Sequence, residues 1–160
     1  MLVHDKREEQ ITMENKVRKQ NPARVYSKLR EDYYRDRERM EEQGRQSPNY
    51  GIMPNPDGHA TLTGESGETI EVFLRIKDKL IEEARFTADR CLFTKAVCSA
   101  ATELVQGKTI DDTFKVDVNA IIDRLEGISE DHKHCVHLAA AAIQRALKNV
   151  IAMGKNDKYV

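Results

Sequence analysis

The sequence predicts an α+β domain: a small antiparallel sheet of about three strands, helices packed on one of its faces, and a charged helical extension in front. Three observations carry this. Apolar and polar residues alternate strictly over 69–76 and again over 80–88. Apolar residues then recur at helical spacing over 93–106 and through the C-terminal third. The strands precede the helices rather than alternating with them, so sheet and helices form separate layers.

The elements follow in chain order. Residues 1–47 are dense in Lys, Arg, Asp and Glu and poor in aliphatics. Val25, Leu29 and Tyr33 recur at helical spacing, Met40 extends the stripe, and Asn21-Pro22 supplies a cap and a first helical residue. A charged helix is expected over 22–43, with the first 20 residues helical or frayed. It reads equally as a solvated arm or as a docking or oligomerisation helix. Residues 44–67 are rich in Gly, Pro, Asn and Ser and form a loop, within which 59–63 is a candidate third strand.

Ile70, Val72, Leu74 and Ile76 share one face of the next strand, and Thr69, Glu71, Phe73 and Arg75 share the other. Lys77-Asp78-Lys79 makes a turn, and Leu80, Ala84 and Phe86 continue the apolar face in the return strand. Phe93, Ala96, Val97, Ala100, Ala101, Leu104 and Val105 form a helical stripe that Gly107 ends. Asp117 caps a short helix carrying Val118, Ile121, Ile122 and Leu125, which Gly127 breaks. The last helix begins between Ser129 and His132 and buries Cys135, Leu138, Ala139, Ala142, Ile143, Ala146, Leu147, Val150 and Ile151. The organisation is an extension over 1–47, a domain over 48–153 and a tail over 154–160.

Composition narrows the function classes. A net charge of −1 offers no basic field for nucleic acid. No apolar run approaches the ~18–20 residues of a membrane span. The N-terminus carries acids early and lacks the apolar core of a signal peptide. Three cysteines do not suggest a disulfide framework, so a reducing cytoplasm is the expected compartment.

Chemistry concentrates around two of those cysteines. Cys91 lies between a strand and a helix, and Cys135 lies near the start of the last helix. Helix N-termini favour thiolate, the metal-binding form. Cys98, on the apolar helix, reads as a small hydrophobe. Around Cys135 the chain runs His132-Lys133-His134-Cys135-Val136-His137. His132 and Cys135 are three apart and can share a helix face, while His134 points to the other side of the turn. Imidazole and thiolate suit zinc and iron, but a polar helix start with satisfied histidines fits the same residues. No CxxC pair is present, so the spacing matches no zinc finger or ribbon.

Five segments stand in order within residues 48–150: Asn55-Pro56-Asp57-Gly58, Thr63-Gly64-Glu65-Ser66-Gly67-Glu68-Thr69-Ile70-Glu71 and Ala84-Arg85-Phe86-Thr87-Ala88-Asp89-Arg90-Cys91, then Thr102-Glu103-Leu104-Val105-Gln106-Gly107-Lys108-Thr109 and His134-Cys135-Val136-His137-Leu138-Ala139. Together they carry a resemblance to the IscU/NifU-type scaffold family of iron–sulfur cluster assembly. It implies a protein that is not an enzyme, carries a [2Fe–2S] cluster or iron, takes sulfur from a cysteine desulfurase and serves recipient apo-proteins. The implied ligand positions are Ser66, where the family has cysteine, Glu68, where it has aspartate, Cys91 and Cys135. His134 matches, while His132 stands where a lysine is usual and Arg90 and Leu92 stand where glycines are usual. Serine is a poor cluster ligand because its hydroxyl is far less acidic than a thiol and oxygen suits soft iron less well. Glu68, Cys91, His134 and Cys135, with His132 nearby, have the right chemistry for one zinc or iron ion instead.

Three functions are therefore in play: a cluster scaffold, a divergent paralogue binding one ion or none and working through protein contacts, and a thiol enzyme using Cys135. The third is the weakest, because no orienting group accompanies the adjacent histidine. Self-association stays open.

Overall fold

The computed structural model describes residues 22–89 and 92–152. Helix α1 is Pro22–Arg45, followed by strands β1 (Gly58–Thr63), β2 (Thr69–Lys77) and β3 (Leu80–Ala88). Helices α2 (Leu92–Val105), α3 (Ile110–Phe114) and α4 (Val118–Arg124) come next. A 3₁₀ turn, Glu130–His132, then leads into α5 (Lys133–Ala152). The expectations for 1–20, for the tail and for Cys91 lie outside the described residues, as do the side chains of Val25, Leu29 and Tyr33.

Two compact units share the chain, Met1–Glu38 and Arg39–Val160. In the described part of the first, Arg35 pairs with Asp32 at 3.5 Å and the Arg30 guanidinium lies 5.8 Å from the centre of the Tyr34 ring. Residues 34–38 are exposed, as a mixed-charge helix face should be.

The second unit holds the expected sheet, antiparallel in the order β1-β2-β3. Thr63 opposes Thr69 across the first hairpin and Lys77 opposes Leu80 across the second. Asp78 and Lys79 both take positive φ, 53° and 64°, as a two-residue hairpin turn requires. Ile70, Val72, Leu74 and Ile76 are buried, as their alternation predicts.

The return strand departs from expectation. Leu80 is 38% exposed, and Ile81 takes the interior place with full burial. Ile76 faces Ile81 while Arg75 faces Glu83, which leaves Glu82 as an extra residue. This bulge shifts the phase of alternation before Ala84 and Phe86 resume it on the buried side. Phe73, on the other face, is also buried. The segment after α1 is tied to the free edge of β3 and to Arg75. Phe86 N–H donates to Asn49 O at 3.0 Å, Gly51 N–H donates to Phe86 O at 2.8 Å, and Arg75 donates to Pro54 O at 2.9 Å. Met53 of this segment is buried as well.

The helices cover one face. α5 packs on β1 and β2, and α2 packs on β3 and on α5. Small residues allow close approach. A Cβ on Gly58 would stand 2.5 Å from Val150 Cγ2 and 2.6 Å from Ala146 O, so β1 lies directly on the alanine-rich side of α5. A Cβ on Gly44 would meet Leu92 O at 2.5 Å, and Met40 enters the core.

Asp117 caps α4 as expected, its Oδ1 accepting from Ala120 N–H at 2.9 Å. That helix closes with Gly127 N–H donating to Ile122 O and Glu126 N–H to Asp123 O, with Glu126 at φ 61°, a Schellman arrangement. Helix α3, absent from the sequence reading, is capped by Thr109 and carries Asp111 and Asp112 in its first turn.

Candidate metal centre

The β1–β2 turn, the start of α2 and the start of α5 meet at one end of the sheet. The turn closes with Gly64 N–H donating to Glu68 O at 2.8 Å and Gly67 N–H donating to Gly64 O at 3.0 Å. Gly67 takes φ 82°, a conformation that glycine adopts without steric cost. Ser66 is exposed at the turn, whereas Glu68 folds inward with only 6% of its surface accessible. The inward fold depends on Gly64, where a Cβ would stand 2.5 Å from Glu68 Oε1 and 2.7 Å from its Cδ. Thr69 N–H donates to Asp89 Oδ1 at 2.7 Å, which ties the beginning of β2 to the end of β3 beside Glu68.

The 3₁₀ turn delivers His134 and Cys135 in the first turn of α5. Glu68 Oε1 lies 3.5 Å from His134 Nε2, and that nitrogen lies 3.5 Å from Cys135 Sγ. One donor atom from each of these residues lies within 4.8 Å of the other two. His134 is exposed and Cys135 is buried, so the group has a wet side and a dry side. On the dry side Thr94 Oγ1 lies 3.6 Å from Cys135 Sγ.

Glu68 Oε2 is buried and has no hydrogen-bond partner among the described residues. Leaving a carboxylate oxygen bare inside a protein is costly, and a cation is the usual remedy. Oxygen, nitrogen and sulfur donors converging within bonding range of a common centre suit zinc or iron. The group fits a metal ion on its own chemistry.

Among the described residues, the expected donor His132 stays apart from it. Cys91 lies outside the described residues, and its chain neighbour Leu92 starts α2. His132 is not in the group. Its ring stacks on Phe93 with centroids 4.0 Å apart and planes 15° off parallel, and its Nδ1 is 2.9 Å from Ser129 Oγ. Burial first, and the neighbouring His134 second, hold the His132 imidazole below its ordinary value, against an upward pull from Asp131. Cys98 is buried among apolar residues. Burial pushes its thiol far up, and Cys135 adds to the shift, so it stays protonated and inert. Sequence reasoning missed Gly64, Thr94 and the Phe93–His132 stack. Thr94 had one local signal, a polar residue in the first turn of an apolar helix.

Comparison with known proteins places these features. The model of the NifU-like N-terminal domain matches residues 46–156. The iron-sulfur cluster assembly scaffold protein IscU 1 of Archaeoglobus fulgidus is 34% identical over 112 residues, which is 69% of this chain and 73% of that protein. The iron-sulfur cluster assembly protein IscU of Plasmodium falciparum is 41% identical over 83 residues, about half of each chain (52% and 51%). A nitrogen-fixing NifU-like N-terminal structure from Brucella abortus superposes with a TM-score of 0.60 at 17% identity, over 71% of this chain and 92% of that one. A likeness at that identity speaks for the fold.

Proposed function

The chain belongs to the NifU-like N-terminal domain family, and on that premise we propose that it is a scaffold for iron–sulfur cluster assembly, holding iron or a [2Fe–2S] cluster as cargo rather than turning over a substrate. The scaffold role belongs to residues 48–153, with 1–47 as an extension. One observation supports the reading most. Glu68, His134 and Cys135 converge within bonding range of a common centre, and a buried Glu68 oxygen has no hydrogen-bond partner among the described residues.

Cys91 completes the donor set from the segment ahead of α2, and Ser66 sits on the exposed turn that also carries Glu68. A cysteine desulfurase as the sulfur donor and recipient apo-proteins as the cluster acceptors are the partners of this reading, as the sequence resemblance implies. A low-cysteine chain with reduced ligand thiols suits a reducing cytoplasm. Among the described residues no helix is long and apolar enough to cross a membrane.

Anaerobic reconstitution with iron and sulfide tests the proposal. Cluster absorption and acid-labile sulfide are expected in the wild-type protein and absent from Cys135→Ala. Folded wild-type protein that takes up neither iron nor sulfide would overturn the scaffold reading.

A second reading is favoured by one specific feature. Ser66 leaves Glu68, Cys91, His134 and Cys135 as an oxygen–nitrogen–sulfur set that suits a single zinc or iron ion. Metal analysis of untagged protein separates the two, giving about one ion per chain without sulfide in the second case. Ser66→Cys should raise cluster occupancy, and an unchanged occupancy would place Ser66 away from the ligands.

A further inference from the structure

Three threonines are buried among the described residues: Thr94, Thr102 and Thr113. Thr102 donates to Cys98 O at 2.8 Å, and Thr113 donates to Thr109 O at 2.8 Å. Both are the local bonds that a helical threonine makes to a carbonyl four residues back. Thr94 differs. Its Oγ1 lies 3.6 Å from Cys135 Sγ, 41 residues along the chain and on another helix. Thr94 stands in the first turn of α2 and Cys135 in the first turn of α5. The sulfur therefore lies between exposed His134, whose Nε2 is 3.5 Å away, and a buried hydroxyl.

We propose that Thr94 is a positioning residue of the metal group: its hydroxyl donates to Cys135 Sγ when that sulfur holds a metal, and so fixes where the sulfur points. The proposal rests on the donor set of Glu68, His134 and Cys135 named above. A cysteine sulfur bound to metal carries no proton, so toward a hydroxyl it can only accept. A hydroxyl both donates and accepts, and it rotates to suit its partner. Thr94 thus stays bonded to the sulfur with or without a metal. Branching at Cβ limits the side chain to few rotamers, and burial keeps bulk water from replacing the contact. In such dry surroundings a hydrogen bond to a charged acceptor is strong. It draws electron density from the sulfur and moves thiolate-to-metal charge transfer to shorter wavelength. It also restrains the Cys135 side chain. Groups that orient a metal ligand without touching the metal are typically worth about 10–100-fold in affinity.

Shape and hydroxyl can be varied separately at this position. Thr94→Val keeps the shape and removes the hydroxyl, whereas Thr94→Ser keeps the hydroxyl and removes the methyl. If Thr94 only fills space, Thr94→Val behaves as wild type and Thr94→Ser does not; a hydrogen-bonding role reverses the two. The full chain is titrated anaerobically with cobalt(II), reading affinity and the wavelength of thiolate-to-cobalt charge transfer. Thr94→Val is expected to bind about tenfold more weakly, with its charge transfer moved to longer wavelength. Thr94→Ser is expected to match wild type in both. Circular dichroism and thermal unfolding establish that each variant is folded. Should Thr94→Val fail to fold, Thr94→Ala takes its place, because it differs from Thr94→Ser by the hydroxyl alone.

Wild-type affinity and spectrum in Thr94→Val overturn the proposal, and so does a change in Thr94→Ser as large as that in Thr94→Val. Cys135→Ala tests the donor set apart from Thr94. Weakened cobalt binding there, with Thr94→Val unchanged, removes the role of Thr94 and leaves the donor set standing. Unchanged affinity and spectrum in Cys135→Ala remove the donor set, and the role of Thr94 with it.

Discussion

Glu68 reaches the interior because residue 64 has no side chain. An added methyl at Gly64 would sit 2.5 Å from Glu68 Oε1, with no room for both. Gly64→Ala is therefore expected to swing the carboxylate out and weaken zinc or cobalt binding by at least about tenfold, measured by competition with a chromophoric chelator. Cys98 gives a prediction of opposite character. Its thiol is pushed above the ordinary value of 9.0 by burial, with Cys135 adding. Below that value the thiol is protonated in both folded and unfolded chains and contributes no pH dependence. Above it the unfolded chain loses the proton and the folded chain keeps it, so stability falls as pH rises. Urea denaturation at pH 8 and pH 10 should show this loss, and Cys98→Ala should remove Cys98's share of it while leaving metal binding intact. The histidine–cysteine pair was legible because both residues are neighbours in sequence at a helix start. Thr94 and the ring stack were not, because each acts across the fold on a residue that spacing does not connect to it, and Gly64 was not, because it acts within its own turn through the side chain it lacks.

At the level of elements, capping chemistry reads directly from sequence and long-range packing does not. Asp117 was legible as a cap because its partner is three residues away. Asp117→Ala should cost about 1 kcal/mol in chemical denaturation, without change in metal affinity. α3 went unread although Thr109 and two first-turn acids mark it, because five residues are too few to show an apolar period. The bulge at Glu82 defeated the alternation rule at Leu80, since one extra residue inverts which side faces inward. β1 was only a candidate strand because its glycine looked like a turn residue. In the fold Gly58 is a contact point, and Gly58→Val should cost roughly 1–3 kcal/mol by forcing β1 away from α5.

The molecule as a whole follows from the order of its segments. Strands grouped before helices produced a sheet with one helical face, which the sequence pattern indicated without any homologue. What it left out is that the segment after α1 joins the sheet, bonding to Phe86 and Arg75 and burying its own Met53. Loops rich in Pro, Gly and Asn announce turns but not what they lie against. A metal that binds only the folded chain stabilises the whole unit. Zinc at about 100 times its dissociation constant should add ~2.7 kcal/mol, seen as a higher thermal midpoint that a chelator reverses.

The donor group joins position 68 to positions 134 and 135. A growing polypeptide that has shown its Glu68 to the cell lacks the His134 imidazole and the Cys135 thiol until α5 has left the ribosome and docked on the sheet. Before that moment the nascent chain offers isolated side chains, which hold transition metals poorly. Metal capture is thereby timed to the end of synthesis, and a half-made chain is a weak scavenger of the cell's iron and zinc.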